Sequence, residues 1–198
     1  ILPDLVNSGI RVMAYPFEGY WMDVGTIESY WQAHMDLLTS PPSFNLYNPN
    51  WVIHTRAEER PPARIHRGST IQDSLVCHGC TIEPGAKVIR SVLSQGVTVS
   101  SGCLIQDSII LTNTYIDSNC VVLRSVLDKR IKVSSGCHIG ALDESNAIAM
   151  IGRNSEIPAG TLISPGAMIG ADVISSDFSS LTINPGEFVQ TRRLPNEV

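Results

Sequence analysis

The 198 residues lack the features that would direct a chain to a membrane, to nucleic acid or out of the cell. No apolar run approaches the roughly 18 residues that a membrane-spanning helix needs, so no membrane span is expected. The 14 Lys and Arg are outnumbered by 19 Asp and Glu, and no basic stripe indicates a nucleic-acid partner. No secretory leader is recognisable, and residue 1 is Ile rather than Met. We therefore expect a piece of a longer, cytoplasmic protein.

What the sequence does contain is a strict apolar repeat between residues 65 and 169. Steps of 5, 6 and 6 residues, taken from Ile71 onward, land on Ile, Leu or Val thirteen times, and the full period is 17 residues. Helical faces return every 3 to 4 residues, so short strands that end in sharp corners explain the spacing better. One phase of the period contains Ile71, Val88, Ile105, Val122 and Ile139.

The corners of this repeat are also predictable. Three positions after the anchors of the six-residue sides, twelve of thirteen residues are Gly, Asn or Asp, which tolerate positive φ; Arg130 is the exception. The next residue is small or β-branched and should point inward. The sequence thus predicts a mainly β protein, a parallel β-helix of about six triangular coils, rather than a β-sandwich, whose strands have no fixed corners. Residues 141–147 should form an outward loop, and strands at Val173–Ile174, Leu181–Ile183 and Phe188–Gln190 should cover the last coil.

The cysteines follow the same repeat. Four of the five occupy the inward small position, and these are Cys80, Cys103, Cys120 and Cys137. Cys77 points outward. The Cys77-His-Gly-Cys80 spacing could be half of a zinc site, but the repeat places its two thiols on opposite faces and no second pair exists. We expect buried, free structural thiols, which fit a cytoplasmic location.

The residues before the repeat indicate a different kind of structure. Residues 10–17 are predicted to form a short strand, and Thr26 is a suitable N-cap for a helix from Ile27 to about Leu38. Asp23 is predicted to end a strand just before the turn at Gly25. On its own, an Asp before Gly-Thr is more typical of a turn residue than of a catalytic one.

This opening resembles bacterial glucose-1-phosphate adenylyltransferases, also called ADP-glucose pyrophosphorylases. The specific part is Gly19-Tyr-Trp-Met-Asp-Val-Gly-Thr26 with the helix that follows, and the resemblance continues through Ile53-His-Thr55, Pro61-Pro-Ala63 and the whole repeat. It implies the C-terminal end of an α/β nucleotidyltransferase domain at 1–39, a linker at 40–64, and a left-handed β-helix with a capping tail at 65–198.

The resemblance also implies a reaction. The intact protein would make ADP-glucose and pyrophosphate from ATP and glucose 1-phosphate for glycogen or other α-glucan synthesis. Asp23 would be a catalytic residue and a ligand of Mg²⁺, with a second Asp from an earlier part of the domain. This part of the protein would serve oligomerisation, as in a homotetramer, and allosteric regulation. Alone it is expected to be inactive.

A basic stretch at the end of the linker is the candidate regulator site. The resembling enzymes are controlled by phosphorylated metabolites, and the arginines that could bind such an effector are Arg56, Arg60 and Arg64. Arginine suits phosphate because its guanidinium donates hydrogen bonds in a fork. The alternative is a solvated linker whose charges face water.

Three other functions are compatible with parts of the sequence. A hexapeptide-repeat acyltransferase would use an outward His as general base, for which His78 and His138 are candidates. That function leaves residues 1–39 unexplained, and the sequence around His138 has no paired acidic residue. The other two are a different sugar-nucleotide pyrophosphorylase and a purely structural oligomerisation module.

Overall fold

Most of the chain forms a left-handed parallel β-helix, in which three parallel sheets make the three sides of a prism. The computed structural model describes residues 1–54, 58–143 and 145–193. The sheets contain six, seven and seven strands. There are thus about seven coils where the repeat predicted about six, because the tail adds one.

The strands are short, and each sheet takes every third strand along the chain. The first sheet contains β1 (Arg64–Ile65), β4 (Thr81–Ile82), β7 (Thr98–Val99), β10 (Tyr115–Ile116), β13 (Lys132–Val133) and β16 (Glu156–Ile157). The second contains β2 (Thr70–Gln72), β5 (Lys87–Ile89), β8 (Leu104–Gln106), β11 (Val121–Leu123), β14 (His138–Ile139), β17 (Leu162–Ile163) and β19 (Thr182–Ile183). The third contains β3 (Leu75–Val76), β6 (Val92–Leu93), β9 (Ile109–Ile110), β12 (Ser125–Leu127), β15 (Ala149–Ile151), β18 (Met168–Ile169) and β20 (Phe188–Val189).

The apolar anchors stack in the interior, as the 17-residue period predicts. In the second sheet Val88 pairs with Ile105, which pairs with Val122. The anchors are fully buried from Ile82 to Ile169, whereas Ile71 on the first coil is only half-buried. The register survives the predicted loop at 141–147, because Ile139 pairs directly with Ile163 beyond it.

All thirteen predicted corner residues have positive φ, including Arg130 at 56°. A second set of left-handed residues was not predicted. It lies two positions after the first four anchors of the second sheet and consists of Asp73, Arg90, Asp107 and Arg124, with φ between 41° and 51°. Acidic and basic residues alternate in this column, whereas the predicted corners are mostly Gly and Asn.

Serines and cysteines form two interior columns. The serine column is Ser74, Ser91, Ser108 and Ser125, and each hydroxyl donates to the carbonyl two residues before it. Each backbone N–H then donates to the serine hydroxyl one coil earlier, at 3.1 to 3.2 Å. The four predicted inward cysteines are buried, Cys77 is exposed, and all five thiols are free. The hydrogen bond with the Cys103 thiol raises the pKa of Cys120 to about 11.

Two α-helices precede the β-helix. They are α1 (Leu2–Asn7), which was not predicted, and α2 (Ile27–Met35), which is followed by a 3-10 helix at Asp36–Leu38. The Thr26 side chain caps α2 as predicted. The predicted strand at residues 10–17 is wrong: this segment is exposed coil. It alternates like a strand, but within the described residues no neighbouring strand pairs with it, so its backbone has no ladder to join. Asp23 consequently lies in coil and not at a strand end.

The tail continues the solenoid. Two of its three predicted strands are present as β19 and β20, which extend the second and third sheets. The third prediction, a strand at Val173–Ile174, is wrong, since Val173 is an inward corner residue and a 3-10 helix follows at Ser175–Asp177. Backbone N–H groups of Ile174 and Arg192 donate to the Asp177 carboxylate and lower its pKa. No helix of the described part is long and apolar enough to cross a membrane.

Candidate functional site

Asp23 lies in extended coil three residues before the N-cap of α2. Its side chain is exposed, and its carboxylate makes no hydrogen bond or ion pair with any other described residue. The carboxylate turns toward Gly25, where an added Cβ would lie 3.8 Å from Oδ2. No three His, Cys, Asp or Glu side chains of the described residues are grouped to hold a metal. Within the described residues, Asp23 is thus an exposed carboxylate without a partner.

Helix α2 is fixed to the outer face of the third sheet. Trp31 is its buried residue, 7% exposed, and packs with Ile109, Val126 and Ile148. The Trp31 indole N–H donates to the backbone oxygen of Asp107 at 2.7 Å. The segment that carries Asp23 thus leads directly into an element held by the β-helix.

Two arginines of the unpredicted corner column complete this junction. The Arg124 guanidinium lies 4.1 Å from the centre of the Trp31 ring, and its Nε donates to the backbone oxygen of Asn146 at 2.9 Å. Arg90 forms a short ion pair with the buried Asp107 carboxylate. Arg90 is exposed, whereas Arg124 is half-buried against Trp31. The sequence analysis missed this column, whose signal is the Asp/Arg alternation two positions after the first four anchors of the second sheet.

A groove of about 430 Å³ runs between the start of α2 and the solenoid. Val24, Gly25 and Tyr30 form one wall, and Val126, Leu111, Met150 and Asp128 belong to the other. Burial and the nearby Asp128 carboxylate raise the pKa of the Tyr30 phenol. The groove thus separates Val24 and Gly25 from the β-helix, whereas Trp31 packs directly on it.

The predicted regulator arginines are not gathered around Asp23. Arg60 pairs with Glu58, and its Nε is buried without a hydrogen-bond partner. Its stem crosses two corner glycines, since a Cβ added at Gly79 would lie 2.9 Å from Arg60 Cδ. Arg64 is exposed in β1. Arg56 lies outside the described residues, and neither Arg60 nor Arg64 bonds to Asp23.

The alternative sites lack the partners that their chemistry needs. His78 and His138 are exposed, and among the described residues neither imidazole has a hydrogen-bonded or ion-paired carboxylate. Cys77 is exposed while Cys80 is buried, as expected of residues on opposite faces. These positions therefore show neither a general-base pair nor half of a zinc site.

Comparison with known proteins shows which families this chain resembles. Residues 1–40 match the model of the nucleotidyl transferases, and residues 61–156 match that of the GlmU-like, C-terminal hexapeptide. A glucose-1-phosphate adenylyltransferase from Thermomicrobium roseum is 42% identical over 96% of this chain, and one from Thermotoga maritima is 44% identical over 97%. Over nearly its whole length, this chain is therefore similar to glucose-1-phosphate adenylyltransferases.

The alignments cover only part of each relative's length. The alignment spans 46% of the Thermomicrobium protein and 48% of the Thermotoga protein, so the chain spans about half the length of these curated relatives. A Bacillus cereus member is 48% identical over 52% of this chain and 27% of its own length. Among solved structures, the acetyltransferase domain of PglB from Neisseria gonorrhoeae FA1090 covers 67% of this chain and 56% of its own at 19% identity, with a TM-score of 0.36. A likeness at that level supports no conclusion.

Proposed function

We propose that this protein acts as a glucose-1-phosphate adenylyltransferase, which forms ADP-glucose and pyrophosphate from ATP and glucose 1-phosphate for α-glucan synthesis. The observation that carries the proposal is 44% identity to such an enzyme over 97% of this chain, including the segment with Asp23. In this reaction a phosphate oxygen of the sugar phosphate attacks the α-phosphorus of ATP, and pyrophosphate leaves. Catalysis depends mainly on positioning and on charge neutralisation.

The proposed role of Asp23 is to hold one side of a Mg²⁺ ion. Magnesium neutralises phosphate charge and is commonly bound by one or two carboxylates together with phosphate oxygens. The exposed Asp23 carboxylate has no competing partner among the described residues, so it can supply one such ligand. The remaining ligands, the nucleotide loop and the sugar site are proposed to come from parts of the protein outside these 198 residues, which alone should be inactive.

Asp23→Asn in the full-length enzyme tests this role. The change is nearly isosteric and the side chain is exposed, so the fold should persist, while turnover should fall at least about 100-fold and the Mg²⁺ requirement should rise. The kcat and KM for both substrates would be measured across a Mg²⁺ titration. Glu28→Gln is the matched control, because it removes another exposed carboxylate in the first turn of α2. Near-normal turnover of Asp23→Asn at ordinary Mg²⁺ would make Asp23 a turn residue.

We also propose that the solenoid serves assembly and regulation in a cytoplasmic homo-oligomer, with the linker arginines contacting a phosphorylated effector. The exposed Arg64 and the half-buried Arg60 lie on the first coil, where an anion could reach them. The triple change Arg56→Ala, Arg60→Ala and Arg64→Ala should weaken activation about tenfold with little effect on unactivated turnover. Activation curves with sugar phosphates and inorganic phosphate would measure this, and Arg153→Ala on a distant coil is the control. An unchanged activation constant would leave the three as solvated linker residues.

A further inference from the structure

We propose that Trp31 and Arg124 are positioning residues: together they hold α2 on the solenoid and so fix where the Asp23 carboxylate lies. The catalytic part of this inference depends on the proposed function, which gives Asp23 its role. The mechanical part depends only on the contacts between α2 and the β-helix.

Helix α2 is attached to the solenoid through a single buried side chain. Within α2, which the structure describes completely, Trp31 is the buried residue. Its ring packs on Ile109 and Val126 of the third sheet, and its indole N–H reaches the Asp107 backbone oxygen at 2.7 Å. Because the donor and the ring are both engaged, the helix can neither rotate nor slide without losing a contact.

The Arg124 guanidinium lies over one face of the Trp31 ring. Arg124 ends the alternating corner column in which Arg90 already pairs with the Asp107 carboxylate. Its own guanidinium lies on the Trp31 ring at 4.1 Å, and its Nε is held by the Asn146 backbone oxygen in the extruded loop. A guanidinium over a tryptophan face is attracted by the electron-rich ring, and more so when partly removed from water. The arginine therefore holds one face of the Trp31 ring while the ring also packs on Ile109 and Val126.

A short stretch of chain with a capped helix start connects Trp31 to Asp23. At the start of α2 the Ser29 backbone N–H donates to the Thr26 hydroxyl, and the Thr26 backbone N–H donates to the Ser29 hydroxyl, both at 3.1 Å. This capping box fixes the direction in which the chain enters the helix. Only Val24 and Gly25 separate the cap from Asp23, so a shift of α2 carries the carboxylate with it. A displacement of about 1 Å at a reacting group can lower a rate about 100-fold.

Arg124→Gln in the full-length protein tests the inference with two readouts. Hydrogen exchange of the peptides that cover residues 19–30 should become several-fold faster, and kcat should fall about tenfold with KM for ATP within about twofold. The Mg²⁺ concentration for half-maximal activity should rise. Arg124→Lys, which keeps a cation over the ring, should retain most of the wild-type behaviour, and Trp31→Phe, which keeps the packing but removes the donor, should show an intermediate loss.

Arg130→Gln is the matched control. Arg130 is also an arginine at a left-handed corner, but it bonds to Asn154 on the next coil and does not touch α2. If Arg124→Gln melts the whole domain, Trp31→Phe decides the matter. Unchanged exchange over residues 19–30 in Arg124→Gln, or in Trp31→Phe where Arg124→Gln does not fold, would overturn the inference whatever the activity, and so would exchange equal to that of Arg130→Gln. Faster exchange with unchanged kcat would overturn the catalytic part of the inference. Normal turnover of Asp23→Asn would overturn the proposed role of Asp23. In that case the exchange result alone would test whether Trp31 and Arg124 hold α2 on the solenoid.

Discussion

At the scale of single residues, the solenoid depends on side chains that accept a left-handed backbone. Gly adopts positive φ without strain, whereas other residues pay roughly 1–2 kcal/mol. The three arginines at such corners each have a partner that offsets this strain: Arg90 pairs with Asp107, Arg124 packs on Trp31, and Arg130 bonds to Asn154. In this fold, each arginine with positive φ thus has a contact that offsets its backbone strain.

The serine column gives a prediction at the same scale. Ser108→Ala removes the acceptor of the buried Ser125 N–H and should lower the free energy of unfolding by about 1–3 kcal/mol. Ser74→Ala is the matched control on the half-buried first coil, where water can replace the hydroxyl, so its effect should stay below about 1 kcal/mol. Urea unfolding followed by circular dichroism measures both. Equal losses for the two variants would show that the column is no more than local packing.

Residue identity also explains which corners the sequence could predict. At corners occupied mostly by Gly and Asn, the residue type itself favours a left-handed backbone. Arg130 could be predicted as a corner because it lies at the same position of the repeat. Arg90 and Arg124 carry no such preference, and their left-handed conformation is accompanied by an ion pair with Asp107 and by the Trp31 ring on another element. Contacts of that kind arise only after the coils stack, so the signal lies in the Asp/Arg alternation at a spacing of 17 residues and not in the residue type at one corner.

At the scale of elements, the linker is attached to the solenoid through the stem of Arg60. Gly96→Ala should be more destabilising than Gly136→Ala, although both have φ near 70°. A Cβ at Gly136 meets nothing within 4 Å, so only the strain of about 1–2 kcal/mol applies. A Cβ at Gly96 would overlap the Arg60 guanidinium and should add about 1 kcal/mol or more.

Chemical unfolding of the two glycine variants, each with and without Arg60→Ala, measures this difference. In the Arg60→Ala background the excess cost at Gly96 should shrink, because of the two overlapping side chains only Asn113, whose Oδ1 would lie 2.5 Å from the added Cβ, remains. An undiminished excess without the Arg60 side chain would mean that Asn113 alone constrains Gly96.

The two N-terminal elements show why a helix was predictable and a strand was not. The helix that starts at Ile27 is capped by Thr26 and Ser29, which are its own neighbours in sequence, so the signal is local. The strand expected at residues 10–17 needs a second strand to receive its hydrogen bonds, and the described residues offer none. The prediction that Asp23 ends a strand was wrong for the same reason, whereas the prediction that it lies just before the N-cap of α2 was correct.

At the scale of the whole molecule, the end coil suggests how copies associate. Leu181 and Phe188 are each 50% exposed on the last described coil, whose β19 and β20 are the last strands of their sheets within the described residues. Exposed strand edges with apolar neighbours favour pairing with another chain. We expect the full-length protein to form a homotetramer and Phe188→Lys to weaken its association at least about tenfold.

Sedimentation velocity across a range of protein concentrations measures this. Tyr115→Lys is the matched control, because Tyr115 is 42% exposed on a middle coil. A protein that stays monomeric at high concentration contradicts the assembly, and equal weakening by both variants would move the contact from the end of the solenoid to its side.

The extruded loop has a small entropic cost, which follows from how the coils close. Bonded neighbours lie 17 positions apart in the regular coils and 24 apart across the loop, as between Arg130 and Asn154. Loop-closure entropy grows only with the logarithm of length, so the longer coil costs about 0.3 kcal/mol more. A solenoid of this kind can therefore lengthen one corner almost freely. The residues inserted there, Asn146 among them, are available to reach across the surface and hold the arginine that covers Trp31.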